Sequence, residues 1–255
     1  MLIDSHAHID HPRFDKDRDE LLQECQQQQI QLINPGVTPS TWEPLLQLSS
    51  QQPHLFPALG IHPLYTTQCD DKPLELLQQR LTMRSEVIAV GEVGLDFFPS
   101  EINKTQQQRC FEAQIEIAYH TQRPLLLHVR KAHQEVIRML KQQPHHGGIV
   151  HAFSGSYELA RQYVDCGFLI GIGGVATRSN ANKLHQAIRK LPADTLALET
   201  DTPDLPPAWL QGARNTPLQL TAIAEAIAKL RREEVSSLIQ QTTNNVSQRF
   251  GLPNH

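Results

Sequence analysis

Short apolar runs recur along the chain, each followed by a longer polar or amphipathic stretch. Met1–Ser5, Gln31–Asn34, Leu55–Leu59, Val87–Val90, Pro124–His128, Gly148–His151, Phe168–Ile170 and Thr195–Glu199 have the length and composition of strands. Several run into turn residues: Pro35-Gly36, Gly60, Gly91, Ser154-Gly155 and Gly171. Helical patterns lie between them. Asp17–Gln31 reads as a helix whose Gln26–Gln29 tract is a solvated face. Lys104–Thr121 carries an apolar stripe of Phe111, Ile115 and Ala118. Pro217–Lys229 follows Thr216, an N-cap residue, with proline at the first helical position. Strands alternating with helices predict a parallel sheet, and their number favours closure into a single TIM-type (β/α)8 barrel across residues 1–255. The rival, an open doubly wound sheet, normally shows a glycine-rich phosphate loop after its first strand, and none follows Met1–Ser5.

Composition adds bounds. The length of 255 residues suits one large domain, and 39% hydrophobic with 20% charged residues is ordinary for a globular chain. A net charge of −4 gives no global field to attract polyanions, which argues against a long-duplex binder. A nucleic-acid substrate would have to be gripped locally, by metal ions and a few Arg or Lys side chains. Cys25, Cys69, Cys110 and Cys166 are scattered without a CxxC pair, so neither a disulfide framework nor a zinc knuckle is expected, and free thiols suit a reducing compartment. The opening MLIDSHAHID has no basic and apolar signal regions, and no apolar run reaches membrane-spanning length. The expected location is the cytoplasm, with no membrane contact and no feature demanding an obligatory protein partner.

The chemistry begins at Ser5-His6-Ala7-His8. Residues two apart on an extended strand share a face, so His6 and His8 can address one metal ion. Alone the pair is weak, because two surface histidines on a strand are common. Its force comes from register: Glu92 follows the fourth predicted strand, His128 and His151 end the fifth and sixth, and Asp201 closes the eighth. Barrel active sites form at these strand ends. Four imidazoles and two carboxylates exceed the three protein ligands usual at a mononuclear catalytic zinc, so two divalent ions (zinc, manganese or magnesium) fit better. A carboxylate such as Glu92 can bridge ions about 3.5–4 Å apart, with Asp201 ligating one ion and orienting or deprotonating the attacking water.

At these residues the chain resembles the TatD family of metal-dependent deoxyribonucleases, in the amidohydrolase superfamily. The resemblance runs through DSHAHID, GIHP (Gly60–Pro63), GEVGLDFF (Gly91–Phe98), LHVR (Leu127–Arg130), HAFSG (His151–Gly155), ETDTPDLPP (Glu199–Pro207) and ARNTP (Ala213–Pro217). It implies a TIM-type barrel, two divalent ions and hydrolysis of phosphodiesters in short or single-stranded DNA. Carried over by residue, it places His6, His8 and Asp201 on one ion, Glu92 as bridge, and His128 and His151 on the second. The chain departs from the familiar pattern at Leu64-Tyr65 after GIHP, and at Lys131, where an acidic residue is common.

Other residues carry two readings. His62 either donates to a substrate phosphate or holds its loop. Arg130 either grips a phosphate through two parallel hydrogen bonds, the favoured role, or pairs with Glu92, Asp96 or another rim carboxylate. Asp4 either bonds a ligand imidazole or caps the barrel bottom. Asp96 is expected to support a neighbouring ligand, and Arg214 and Asn215 to stabilise the last loop. Ser154 reads as a turn residue, and His120, His133, His145, His146, His185 and His255 as surface residues. Two rival functions stand beside the nuclease: a carbonyl (amide, ester or lactone) hydrolase of the same superfamily, and a non-catalytic metal or nucleic-acid binding protein.

Overall fold

The computed structural model describes residues 1–253 apart from Gln211, so His255 lies outside the described residues. Eight parallel strands lie in sequence order: β1 (Leu2–Asp4), β2 (Ile30–Gly36), β3 (Leu55–Leu59), β4 (Ala89–Asp96), β5 (Leu125–Arg130), β6 (Gly148–Val150), β7 (Phe168–Ile172) and β8 (Leu196–Leu198). Helices α1 (Arg18–Gln27), α2 (Pro39–Ser50), α3 (Asp71–Met83), α4 (Lys104–His120), α5 (His133–Gln142), α6 (Tyr157–Asp165), α7 (Asn182–Lys190) and α8 (Leu220–Arg231) alternate with them, and α9 (Val235–Phe250) ends the barrel. This is the expected TIM-type architecture. The strands are near-continuous apolar runs because helices cover one face and the barrel interior the other.

Ends β1 and β8 close on each other at the mouth. Ser5 donates its N–H to Leu198 O at 2.9 Å, Asp201 to His6 O at 2.9 Å, and His8 to Thr202 O at 2.8 Å. Asp4 neither bonds an imidazole nor caps the barrel bottom. Its buried carboxyl accepts from Thr200 N (3.0 Å), Thr200 Oγ1 (2.5 Å) and His6 N (3.2 Å), stitching β1 to the segment after β8.

Two apolar layers result. One lies between strands and helices; the other fills the lumen with Ile3, Ile33, Ala58, Leu126, Ile149 and Leu169, plugged below by Val246 and Phe250 of α9. The expected Lys104–Thr121 helix forms as α4, with Phe111, Ile115 and Ala118 buried. Helix α1 stops at Gln27, earlier than expected, because Gln29 takes a left-handed φ of 55° and Ile30 already begins β2. Strand β4 runs six residues past Val90, through Gly91, which reads as a turn residue in the sequence. There Gly94 meets β5 so closely that a Cβ would lie 2.1 Å from His128 O.

The cysteine expectation is corrected. Cys69 and Cys110 form a disulfide across 41 residues of sequence, with Cα atoms 5.9 Å apart, while Cys25 and Cys166 stay free. No helix among the described residues is long and apolar enough to cross a membrane.

Candidate metal centre

Six expected residues converge at the carboxyl ends of the strands. His6 and His8 follow β1, His128 lies on β5, His151 follows β6 and Asp201 follows β8. Glu92 lies within β4 rather than after it. The β4–β5 register shifts between Gly91 and Val93, so one extra residue bulges at Glu92 and its carboxylate turns into the cluster.

Glu92 is the hub. Its Oε1 lies 2.8 Å from His128 Nδ1 and 2.8 Å from His151 Nε2; its Oε2 lies 3.4 Å from His6 Nε2 and 3.3 Å from His8 Nε2. Burial opposes its charge, but the imidazoles of His151, His62 and His6 and the bond from His128 hold it well below the usual carboxylate range. Asp201 Oδ1 stands 3.7 Å from His6 Nε2 and 3.9 Å from His151 Nδ1. Burial raises its carboxyl.

The geometry fits cations. His6 Nε2 and His8 Nε2 face each other at 3.1 Å, and His128 Nδ1 faces His151 Nε2 at 3.2 Å. Neutral imidazoles that direct lone pairs at a common point need a cation between them. The donor triplets His6–Glu92–His151, His6–His8–Asp201 and His62–Glu92–His128 each keep their ligand atoms within 4.8 Å. Mixed nitrogen and oxygen donors of this kind suit zinc and manganese.

His62 is buried beside Glu92, Nε2 to Oε1 3.5 Å. Its Nδ1 accepts the Leu64 N–H at 3.1 Å, so a neutral ring carries its proton on Nε2. Burial pushes its pKa down to about 3, keeping it neutral. In that tautomer His62 directs an N–H, not a lone pair, toward Glu92 Oε1, although it also belongs to one of the donor triplets. His128 is the opposite case. Its Nε2 meets Asp96 Oδ2 at 3.1 Å, which reserves the Nδ1 lone pair for the cluster. Asp96 thus braces His128, and also accepts Phe98 N–H at 2.9 Å.

Arg130 reaches none of the rim carboxylates. Its guanidinium lies 3.6 Å over the Phe98 ring, and both residues are exposed. Arg214 and Asn215 bind the last loop. Arg214 forks onto Asp17 and donates to Arg13 O at 2.7 Å, and Asn215 Nδ2 donates to Thr200 O and Asp204 O at 2.7 and 2.9 Å. His133 is not a surface residue: it packs half-buried with Nδ1 3.0 Å from Tyr163 OH.

Three supports escaped the sequence reading. Glu199 is fully buried, and burial raises its carboxyl well above the usual range. Its Oε1 accepts the Ala152 N–H, next to His151, at 2.5 Å, and its Oε2 fills the space at Gly171, where a Cβ would come within 2.3 Å. Its place two residues before Asp201 was the available signal. Gln107 and Gln114, on the buried face of α4, are the others. Gln107 accepts Asp96 N–H at 3.0 Å; Gln114 clasps both backbone groups of Ile61, accepting at 2.7 Å and donating at 3.1 Å.

A β/α barrel that gathers such donors at this end has the architecture of metal-dependent hydrolases. Residues 3–251 match the family described as TatD related DNase, and the chain belongs to the TatD family. It is 36% identical over 254 residues to the Escherichia coli K12 protein YjjV, named an uncharacterized metal-dependent hydrolase, with 98% of each chain covered. The crystal structure of E. coli YjjV, a TatD homologue, superposes with a TM-score of 0.94 over 99% of this chain and 98% of that one. YabD of Bacillus subtilis 168, likewise named an uncharacterized metal-dependent hydrolase, is 30% identical over 255 residues, covering 99% of this chain and all of its own. A TatD family hydrolase of Entamoeba histolytica, 19% identical with a TM-score of 0.88, shares the fold.

Proposed function

We propose that the chain hydrolyses phosphodiesters in short or single-stranded DNA, using water and two divalent ions. The observation that carries this reading is the mouth around the donor cluster. Six large apolar side chains are exposed among the described residues, and Leu64, Tyr65, Phe98 and Trp209 lie on loops at the carboxyl ends of the strands. Exposed aromatic rings beside an exposed guanidinium suit stacked bases and a phosphate backbone.

In this reading His6, His8 and Asp201 would hold one ion, His128 and His151 the other, with the Glu92 carboxylate available to both. Divalent ions bound there make water acidic enough to attack near neutral pH and offset charge on the phosphoryl oxygens. Asp201 accepts the proton of the attacking water. His62 donates its Nε2 proton to a phosphoryl oxygen, and Arg130, steadied on Phe98, takes the flanking phosphate through two parallel hydrogen bonds. Glu92 stays ionised throughout because imidazoles surround it. The P–O bond breaks as the water oxygen bonds to phosphorus, and the leaving alkoxide takes the proton that Asp201 accepted.

The test is turnover of a labelled single strand, a small phosphodiester and a lactone with manganese, magnesium or zinc. Glu92→Ala and Asp201→Asn are expected to lose at least about a thousandfold in kcat while remaining folded. Undiminished activity in both, or turnover of the lactone alone, would overturn the proposal.

A further inference from the structure

A groove of about 570 Å³ leads away from the donor cluster between the loop after β1 and one face of α2 along its whole length, with His8 in the wall common to both. Its volume lies within the range of roughly 300–1,000 Å³ usual for small-molecule sites. Val37, Pro44, Leu48 and the Tyr65 ring make its apolar surface, and Ser40 and Gln47 supply neutral polar groups. Tyr65 is 44% exposed, and its ring lies 5.9 Å from that of His62, tilted by 57°. One ring therefore borders both the groove and the site where the bond would be cut.

Charge decides what the groove can take. Among the described residues that line it, Arg18 is the single Lys or Arg. Its guanidinium is committed to Ile9 O at 2.9 Å, Asp10 O at 3.0 Å and Asp15 Oδ1 at 2.6 Å. No cation is left here for a phosphate, whereas Arg130 and Lys131 stand exposed at the end of β5. Asp10 is the one carboxylate among the described lining residues, and its Oδ1 accepts Asn34 Nδ2 at 2.9 Å. An apolar slot edged by hydroxyl and amide groups, with a carboxylate that would repel a phosphate, suits a planar, uncharged heteroaromatic ring.

Resting on the nuclease reading above, we infer that the groove takes the nucleobase of a nucleotide flanking the scissile phosphate, stacked on Tyr65. A base can enter only when unpaired, so the groove selects single strands or frayed ends. The phosphates are left to Arg130 and Lys131.

The experiment uses a short single strand and two copies in which the nucleotides flanking the cleaved bond are replaced, one at a time, by abasic residues. The wild type is expected to lose about five- to a hundredfold in kcat/KM on one of the abasic strands. In Tyr65→Ala, and in Ser40→Trp, whose new ring plugs the groove from an exposed helix position, that discrimination collapses. A binding readout stands beside turnover. A strand carrying 2-aminopurine at the sensitive position is quenched on binding to Asp201→Asn, and the quench is lost when Ser40→Trp is added. Equal cleavage of intact and abasic strands by the wild type would overturn the inference while leaving the nuclease reading intact. Equal losses on intact and abasic strands in both variants would also overturn it, because Tyr65 would then act only through His62. If the wild type hydrolyses a small ester or lactone but no DNA strand, the nuclease reading falls and the groove assignment with it.

Discussion

Asp96→Asn tests the ligand arrangement without touching a ligand. Both oxygens of Asp96 accept: Oδ2 from His128 Nε2 at 3.1 Å and Oδ1 from Phe98 N at 2.9 Å. Burial opposes its charge, but the His128 bond and the Phe98 N–H keep the carboxyl below its ordinary range. Asparagine has one acceptor for two donors. With its oxygen toward Phe98, its NH2 faces His128 Nε2 and forces the ring proton onto Nδ1, the atom 2.8 Å from Glu92 and 3.2 Å from His151. With the amide turned over, His128 keeps its tautomer, but the Phe98 N–H is left facing another donor, at about 1–3 kcal/mol. That stranded N–H favours the first arrangement, which removes about one to two factors of ten in metal affinity, the range seen when the partner of a ligand histidine is lost. The assay is competition for zinc and for manganese between metal-free protein and a fluorescent chelator, with thermal melts to confirm folding. A folded Asp96→Asn protein that binds both metals within twofold of the wild type would refute the assignment of His128 Nδ1 to the ion.

Three further outcomes are expected. Gln114→Leu strands the Ile61 N–H and C=O in the interior and should cost about 2–4 kcal/mol in urea unfolding; a loss below about 0.5 kcal/mol would show that these groups find other partners. Under denaturing, non-reducing conditions two thiols should react, those of Cys25 and Cys166, and four after reduction. Chain entropy alone makes the 41-residue closure worth up to about 4 kcal/mol, so a reductant should lower the unfolding midpoint, and four reactive thiols at the outset would contradict the bridge. Burial pushes His133 down to about 4, below the ordinary value near 6.5 of an unfolded chain. The unfolded state then binds more protons between those values, so this stability is present above about pH 6.5 and fades as pH falls toward 4. His133→Gln should flatten the fall in urea midpoint across that window, and an unchanged slope would exonerate His133.

The strands were legible because parallel strands buried on both faces must be apolar from end to end. A glycine hid the true length of β4: Gly91 looks like a turn residue, yet the strand continues through a bulge at Glu92 and a close approach of Gly94 to β5. Helix α9 went unforeseen because Thr242, Thr243, Asn245 and Ser247 are buried among its few apolar residues. These dilute the amphipathic signal. The six candidate ligands were readable as titratable residues ending apolar runs. Asp96 apart, the contacts of their supports were not, since Asp4, Gln107, Gln114 and Glu199 act on backbone groups that are neighbours only after folding. The Cys69–Cys110 pair has the same defect, with no local pattern to mark it.

Those supports explain how the mouth tolerates its own backbone. Of the seven non-glycine residues with positive φ among those described, Lys131, Ala152, Asp201 and Leu205 lie on loops leaving β5, β6 and β8. Each such conformation costs on the order of 1–3 kcal/mol and persists only where neighbours over-determine it. Ala152, at φ 47°, is pinned by Glu199 Oε1; Asp201, at φ 55°, by its N–H to His6 O. Leu205, at φ 43°, follows Asp204, whose carbonyl Asn215 holds from inside. Glu199, passed over in the sequence, and Asn215, expected there to stabilise the last loop, thus fix the two turns that carry His151 and Asp201. The metal centre draws its ligand directions from the barrel and its tolerance of unfavourable backbone from Glu199 and Asn215.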